Sequence, residues 1–408
     1  MDKTILHCDL NGFYASVECL FRPELIDVPM AVSGSVENRH GIVLAKNERA
    51  KAFGVVTAET VSQAKEKCPE LVLVPPRHEK YAEYSKIVNK LYERYTDMVE
   101  PFGIDESWLD VTQSLHLFGS GREIADDIRE TVKRETGLTV SVGVSFNKVF
   151  SKLGSDYKKP DATTVISREN FREIVYPLPV STLLYAGKAA TAEFAKLGIY
   201  TIGQLAVYDK TIITDRLGKT GATLHDYANG IDESRVRYAH DEREAKSVGS
   251  GMTFSRNLMG IEDITAGVRA LGDTVASRLR KDGQRCAVVQ VQIRDPQFKT
   301  ISRQKKLPRP THLAKEICEA AMDIIKRSWN LKEPVRMITV TGLNLSPDAG
   351  SQQLSFFEED NDSKRSKQER IELAIDVIRE KFGRDSITPG TSINSDIGIG
   401  HHDKHSEQ

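Results

Sequence analysis

Three carboxylates sit where an apolar core has no use for them. Asp9 falls at the end of the run Ile5-Leu6-His7-Cys8-Asp9-Leu10, and Asp105 and Glu106 open the run Asp105-Glu106-Ser107-Trp108-Leu109-Asp110. The first run alternates as a short strand, with Ile5, His7 and Asp9 on one face. Acids at the ends of strands do little for stability. They are well placed to hold hard divalent cations, which take oxygen ligands. Two such cations, about 4 Å apart, can clamp the attacking and leaving oxygens of a phosphoryl or nucleotidyl transfer. Neighbouring strand residues face opposite ways, so Asp105 and Glu106 need a bend or hairpin in order to converge. The competing structural reading is that they cap a turn.

The surrounding pattern is α/β. Gly12 breaks the first strand, and Phe13 to Phe21 has helical spacing stopped by Arg22-Pro23. Short strands are expected at Met30-Ala31-Val32, Gly41 to Leu44 and Leu71 to Val74, with a helix from Ala58 to Cys68. Tyr84, Ile87, Val88, Leu91, Tyr95 and Met98 predict one long amphipathic helix from Tyr81 to Val99. A helix from Ile124 to Thr136, a strand Val140 to Val144, a helix from Asn147 and a strand Thr163 to Ile166 complete residues 1–167. In layered α/β folds, sites gather at strand ends.

Residues 168–232 change character. Short helices are joined by glycine-centred turns at Gly187 and Gly198, which fit either helix-hairpin-helix elements that offer backbone N–H groups to phosphate or a structural helical bundle. Residues 233–245 are charged, lack apolar periodicity and read as a linker. Strands and helices then alternate to residue 346 as in a small α+β sandwich. Net charge is −1, but its distribution is uneven. Residues 246–346 carry 18 Lys and Arg against 9 Asp and Glu, and residues 347–408 carry 8 against 13. A basic module followed by an acidic tail points to a polyanion-binding surface, or to an ordinary solvated one.

At 408 residues the chain holds two to four folded units. No apolar run approaches the ~20 residues that span a bilayer, and the N-terminus lacks a secretion pattern, so a cytoplasmic protein is expected. The five scattered cysteines form no metal-type pair and read as reduced thiols.

Three motifs in order resemble the Y-family, or translesion, DNA polymerases, most nearly the bacterial polymerase IV type. They are Asp9-Leu10-Asn11-Gly12-Phe13-Tyr14-Ala15-Ser16-Val17-Glu18, Asp105-Glu106-Ser107-Trp108-Leu109-Asp110-Val111, and Ser141-Val142-Gly143-Val144-Ser145-Phe146-Asn147-Lys148 with Lys152 and Lys159-Pro160. The resemblance covers about residues 4–357. It implies a right-hand polymerase of α/β and α+β domains. The palm would be 1–10 and 75–167, the fingers 11–74, the helical thumb 168–232, and a ferredoxin-like little finger 246–346, with a tail from 347.

The resemblance also implies roles. Asp9, Asp105, Glu106 and the Leu10 carbonyl would hold two Mg²⁺ ions, for which Mn²⁺ can substitute. Tyr14 would be the steric gate that excludes a ribose 2′-hydroxyl. Lys51 and Lys159 would hold the incoming triphosphate. This chain departs from the commoner pattern around Lys51: Ala45, Glu48 and Lys51 stand where many relatives carry a hydroxyl, a tyrosine and an arginine. Lys46 or Arg49 could take over, and a surface role for Lys51 stays open. Arg256, Arg294, Lys299, Arg303, Lys305 and Lys306 are candidates for DNA phosphates, contacts that give affinity rather than sequence specificity. Gln353, Leu354, Phe356 and Phe357 resemble the peptide that docks on the bacterial sliding clamp, against the alternative that they pack on the little finger.

The implied function is low-fidelity, template-directed extension of primed DNA by a monomer without a proofreading exonuclease. Asn11 and Phe21 to Leu25 lean towards the mutagenic-subunit branch of the family, the rest towards polymerase IV. A clamp-binding protein with a dead site, a two-metal nuclease and a nucleotide cyclase are the competing classes.

Overall fold

The computed structural model describes residues 2–35, 39, 41–241, 244–348, 359–383, 386–388 and 396–399. The chain divides into two compact units, residues 1–34 with 42–242 and residues 35–41 with 243–408.

The first unit is organised by a five-stranded sheet. Strand Ile5–Leu10 lies at its centre, antiparallel to Glu106–Asp110 on one side and to Val140–Ser145 on the other. Val99–Pro101 and Thr163–Ile166 flank these. Alternation divides the central strand between two faces. Leu6, Cys8 and Leu10 enter a core with Val88, Leu91 and Tyr92 of helix His78–Tyr92 and with Ile124, Ile128 and Val132 of helix Gly121–Thr136. His7 and Asp9 point the other way, towards helix Lys148–Tyr157.

That helix lies unusually close to the sheet. A Cβ on Gly143 would stand 1.9 Å from the Ser151 carbonyl oxygen and 2.4 Å from the Ser155 amide. Only glycine permits such an approach. Asn147 starts the helix by accepting from the Phe150 amide.

The expected long helix from Tyr81 to Val99 is two elements. It ends at Tyr92, and Val99 begins a strand. The apolar spacing runs across the break because Tyr95 and Val99 enter the same core as the helix. The intervening residues find long-range partners instead: Tyr95 donates to Asp127, and the Thr96 hydroxyl to the Asp110 carbonyl. The Ala58–Cys68 helix starts later, at Val61, because Thr60 and Gln63 form a capping box.

Strands Val43–Lys46, Met30–Ser33 and Val72–Val74 form a second, three-stranded sheet. Residues 171–228 are helical, with helices Phe171–Val175, Lys188–Lys196, Ile202–Val207 and Lys210–Ala228 around Phe194, Ile202, Leu205 and Leu224. The stretch expected as a linker is docked in its first half. Val236 is buried with Ile5 and Trp108, Arg237 donates to Glu100, and the Ala239 amide to the Asp97 carbonyl.

The second unit has a four-stranded antiparallel sheet in the order Thr300–Thr311, Gln284–Arg294, Val335–Pro347, Ser247–Leu258. Helices Gly260–Lys281 and Ala314–Ser328 pack on one face through Val268, Leu271, Val275, Ile317 and Ile325. The acidic tail is partly structural. Helix Glu359–Phe382 is ion-paired to this unit, and Ile397 is buried in its core. All five cysteines are free. No helix among the described residues is long and apolar enough to cross a membrane.

Candidate active site

The sheet register brings the carboxylates together. Asp9 pairs directly with Glu106 across the two central strands. The chain turns between Val99–Pro101 and Glu106–Asp110, where the Phe102 and Gly103 amides donate to the Glu106 carbonyl. This is the hairpin that convergence required. Asp105 lies in the turn, and its carbonyl accepts from the Leu10 amide at 2.9 Å.

A fourth group joins them. His7 is fully buried, with Nε2 3.3 Å from Glu106 and Nδ1 2.8 Å from the Ser155 hydroxyl. Ligand atoms of His7, Asp9 and Glu106 lie within 4.8 Å of one another. The alternation that put His7 on the Asp9 face was the signal for its place here.

Two lysines supply counter-charge. Lys152 Nζ stands 2.5 Å from Glu106 and 3.9 Å from Asp9, and Lys159 Nζ stands 2.8 Å from Asp9 and 2.7 Å from Asp156. Burial opposes ionisation of Glu106, yet hydrogen bonds from His7 and Lys152 hold its pKa at about 2. Asp105 goes the other way. Burial, then the charges of Asp9 and Glu106, push it up to about 6. Burial alone would lower the Lys159 pKa, but Asp9 and Asp156 hold it above the usual value. The site is therefore an acidic cluster in which one carboxylate lacks adequate positive charge.

Tyr14 borders this cluster, on a helix that begins at the left-handed Gly12. Its ring stacks on Tyr81 with centroids 4.0 Å apart, and His78 meets it edge-on. The Tyr81 hydroxyl donates to the buried Glu18, which also accepts from Arg77 and Arg22. Burial and the Asp105 charge raise the Tyr14 pKa.

Asn11 bridges two segments. Its Nδ2 donates to Ser141, and its Oδ1 accepts from the Asp161 amide, two residues beyond Lys159. An aspartate at position 11 could keep the first contact only by accepting from the Ser141 hydroxyl.

The remaining cations are dispersed. Lys51 is exposed and paired with Glu48 at 3.2 Å, and Arg49 with Asp27 at 3.4 Å. Lys46 is half-buried and donates to Thr57, and its carbonyl lies against Gly12. In the second unit the strand register splits the basic residues. Arg294 and Lys306 share the sheet face opposite the helices, Arg303 and Lys305 lie on the helix side, and Lys299 is in the preceding turn. Lys305 pairs with Asp323. Arg256 is already held by two carboxylates, Asp396 and Asp263. Gln353, Leu354, Phe356 and Phe357 lie outside the described residues.

Sequence profiles of the impB/mucB/samB family match residues 8–156, and those of its C-terminal domain match residues 245–356. DNA polymerase IV of Acetivibrio thermocellus is 47% identical over 96% of this chain and 97% of its own. That of Clostridium kluyveri is 35% identical over 96% of this chain and 99% of its own. The chain belongs to the Y-family DNA polymerases. A solved Y-family DNA polymerase chimera shares the fold with a TM-score of 0.74, at 22% identity over 84% of this chain and 98% of that one. Within the family the relatives place this polymerase in the polymerase IV branch, not the mutagenic-subunit branch towards which Asn11 leaned. It is a DNA-directed DNA polymerase of the translesion class, which sets aside the non-catalytic reading.

Proposed function

We propose that Asp9, Asp105, Glu106 and the Leu10 carbonyl bind two Mg²⁺ ions, with Mn²⁺ able to substitute. The observation that carries this is the convergence of the three carboxylates: Asp9 pairs with Glu106 across the sheet, and Asp105 sits in the adjoining turn, where burial and then the charges of the other two raise its pKa. An all-oxygen donor set with surplus negative charge fits a hard divalent cation. Bound there, the ions would acidify the primer 3′-hydroxyl and neutralise the departing pyrophosphate.

The protein's own groups do the rest. His7 and Lys152 keep Glu106 ionised and fix its orientation. Lys159, held between Asp9 and Asp156, exchanges those partners for the triphosphate of the incoming nucleotide. Asn11 steadies the loop that carries Lys159. Lys51 must leave Glu48 to take part, and Lys46, which must leave only the Thr57 hydroxyl, is the second cation. Tyr14, with its ring backed by Tyr81, closes the space that a ribose 2′-hydroxyl would need.

In this reading residues 1–10 and 75–167 are the palm, 11–74 the fingers, 168–232 the thumb and 246–346 the little finger. Arg294 and Lys306 meet DNA phosphates from one sheet face with Lys299 at the turn, Arg303 reaches them only around the edge strand, and Arg256 joins them only by releasing Asp396. The peptide Gln353 to Phe357 docks on the sliding clamp, and the enzyme acts as a cytoplasmic monomer.

The test is primer extension on primed template with dNTPs and Mg²⁺. Asp105→Ala is expected to abolish extension while DNA binding, measured by fluorescence anisotropy, persists. Extension at the wild-type rate by this variant would remove Asp105 from the mechanism.

A further inference from the structure

Glu18 is a carboxylate with no exposure to solvent. A buried acid is costly unless it is paired, and an apolar side chain would fill the same space without that cost. Glu18 is well paired. Its oxygens accept from Arg77 Nε and Nη2 at 3.1 and 2.7 Å, from Arg22 Nη2 at 3.1 Å and from the Tyr81 hydroxyl at 2.6 Å. Burial alone would raise its pKa, but the hydrogen bonds from Arg77, Tyr81 and Arg22 hold it below the ordinary carboxylate value.

The pairing leads towards the nucleotide site. Tyr14 and Glu18 lie four residues apart on helix Phe13–Phe21, so they share one face of it. Both touch the same residue of helix His78–Tyr92. Glu18 holds the hydroxyl of Tyr81, and the Tyr14 ring lies on the Tyr81 ring with centroids 4.0 Å apart and planes 15° from parallel. Tyr81 is fully buried, whereas Tyr14 is half-buried and feels the charge of Asp105. Arg77 stands at the start of helix His78–Tyr92, so the carboxylate also ties down that helix end. The Tyr14 ring therefore rests on a wall that Glu18 anchors.

For such a ring, placement matters more than strength. A side chain that rejects one hydroxyl must be held to a fraction of an ångström, because a small displacement opens room for the atom it excludes. A half-buried aromatic on a helix can change rotamer unless something fixes it. Stacking on a partner that is itself anchored through its hydroxyl removes that freedom. We propose that Glu18 is a positioning residue for sugar selection: through the Tyr81 hydroxyl it fixes the Tyr14 ring against the sugar of the incoming nucleotide, a role that rests on the reading of Tyr14 as the steric gate.

The experiment measures kcat and KM for single insertions of a dNTP and of the matching rNTP opposite the same template base. It compares the full-length wild type with Tyr81→Phe, Glu18→Met, the double variant and Tyr14→Ala. Tyr81→Phe keeps the stacked ring and removes only the bond to Glu18. It is expected to raise kcat/KM for the rNTP relative to the dNTP about tenfold, chiefly through a lower rNTP KM. Glu18→Met should raise the ratio by a similar factor, and the double variant by no more than either, since both cut one bond. A purely structural loss lowers the active fraction, which reduces kcat for both nucleotides alike and leaves the ratio where it was. A wild-type ratio in Tyr81→Phe and Glu18→Met, with a raised one in Tyr14→Ala, would overturn this role and leave the gate standing. A wild-type ratio in Tyr14→Ala would overturn the gate reading and this role with it. Single effects that add in the double variant would show that Glu18 acts by another route, and would also overturn the proposal.

Discussion

Two charge clusters in this polymerase are built to opposite rules. Around Asp9, Asp105 and Glu106, three acids converge, and burial, then the charges of Asp9 and Glu106, raise the Asp105 pKa against the opposing charge of Lys159. Around Arg280 every charge is answered. The guanidinium donates to Glu372, Asp376 and the His312 carbonyl, and the neighbouring Arg285 bridges Asp348 and Glu369. A balanced buried cluster fastens one element to another. An unbalanced one stores a demand for a cation, and that demand suits a metal-dependent polymerase.

The comparison breaks most visibly at Arg280. Replacing it with alanine strands Glu372 and Asp376, and removal of one partner from a buried pair typically costs about 3–5 kcal/mol. Denaturant unfolding of Arg280→Ala should show a loss of that order, and a loss under 1 kcal/mol would mean that the helix Glu359–Phe382 contributes little to the second unit.

The catalytic cluster should respond with the opposite sign. The Asp105 pKa is raised from 3.8 to about 6, so the folded state prefers the protonated acid and a penalty builds up as pH rises through that window. Asp105→Asn should therefore stabilise the metal-free protein by about 1–2 kcal/mol at pH 7, after discounting for partial exposure. The gain should shrink as pH falls towards 4. A gain that does not vary with pH would show that charge crowding is not its cause. The smallest expected effect sharpens the same point. Millimolar Mg²⁺ should raise the melting temperature of the wild type by a few degrees through binding to the native state, and that of Asp105→Asn by less. Equal rises would place the ion elsewhere.

Much of the catalytic unit was legible because its signals are local. Alternation set His7 and Asp9 on one face, and a hairpin was required wherever Asp105 and Glu106 were to converge; both features are present. What the sequence hid depends on distant partners. Tyr95 and Met98 continue an apolar period, yet the hydrogen bonds of Tyr95 to Asp127 and of Thr96 to Asp110 end the helix before them. Val236 and Arg237 sit in a charged stretch without periodicity, and only the buried Glu100 explains why the chain stays docked there. Nothing local in the sequence shows that Arg256, a candidate DNA contact, is held by Asp396, 140 residues away. Arg280 gave no sign at all, because a buried arginine cannot be told from a surface one until its carboxylates are placed.

Gly143 has a consequence for heritable variation. The helix that carries Lys152 and Ser155 rests on its bare α-carbon, with the Ser151 carbonyl 1.9 Å from where any side chain would begin. Every replacement at that codon adds at least one carbon, so a missense change there displaces the helix that orients Glu106. The position has no neutral neighbour in sequence space. A lineage carrying this polymerase can drift at its surface lysines, but not at this residue beneath Asp9 and Glu106.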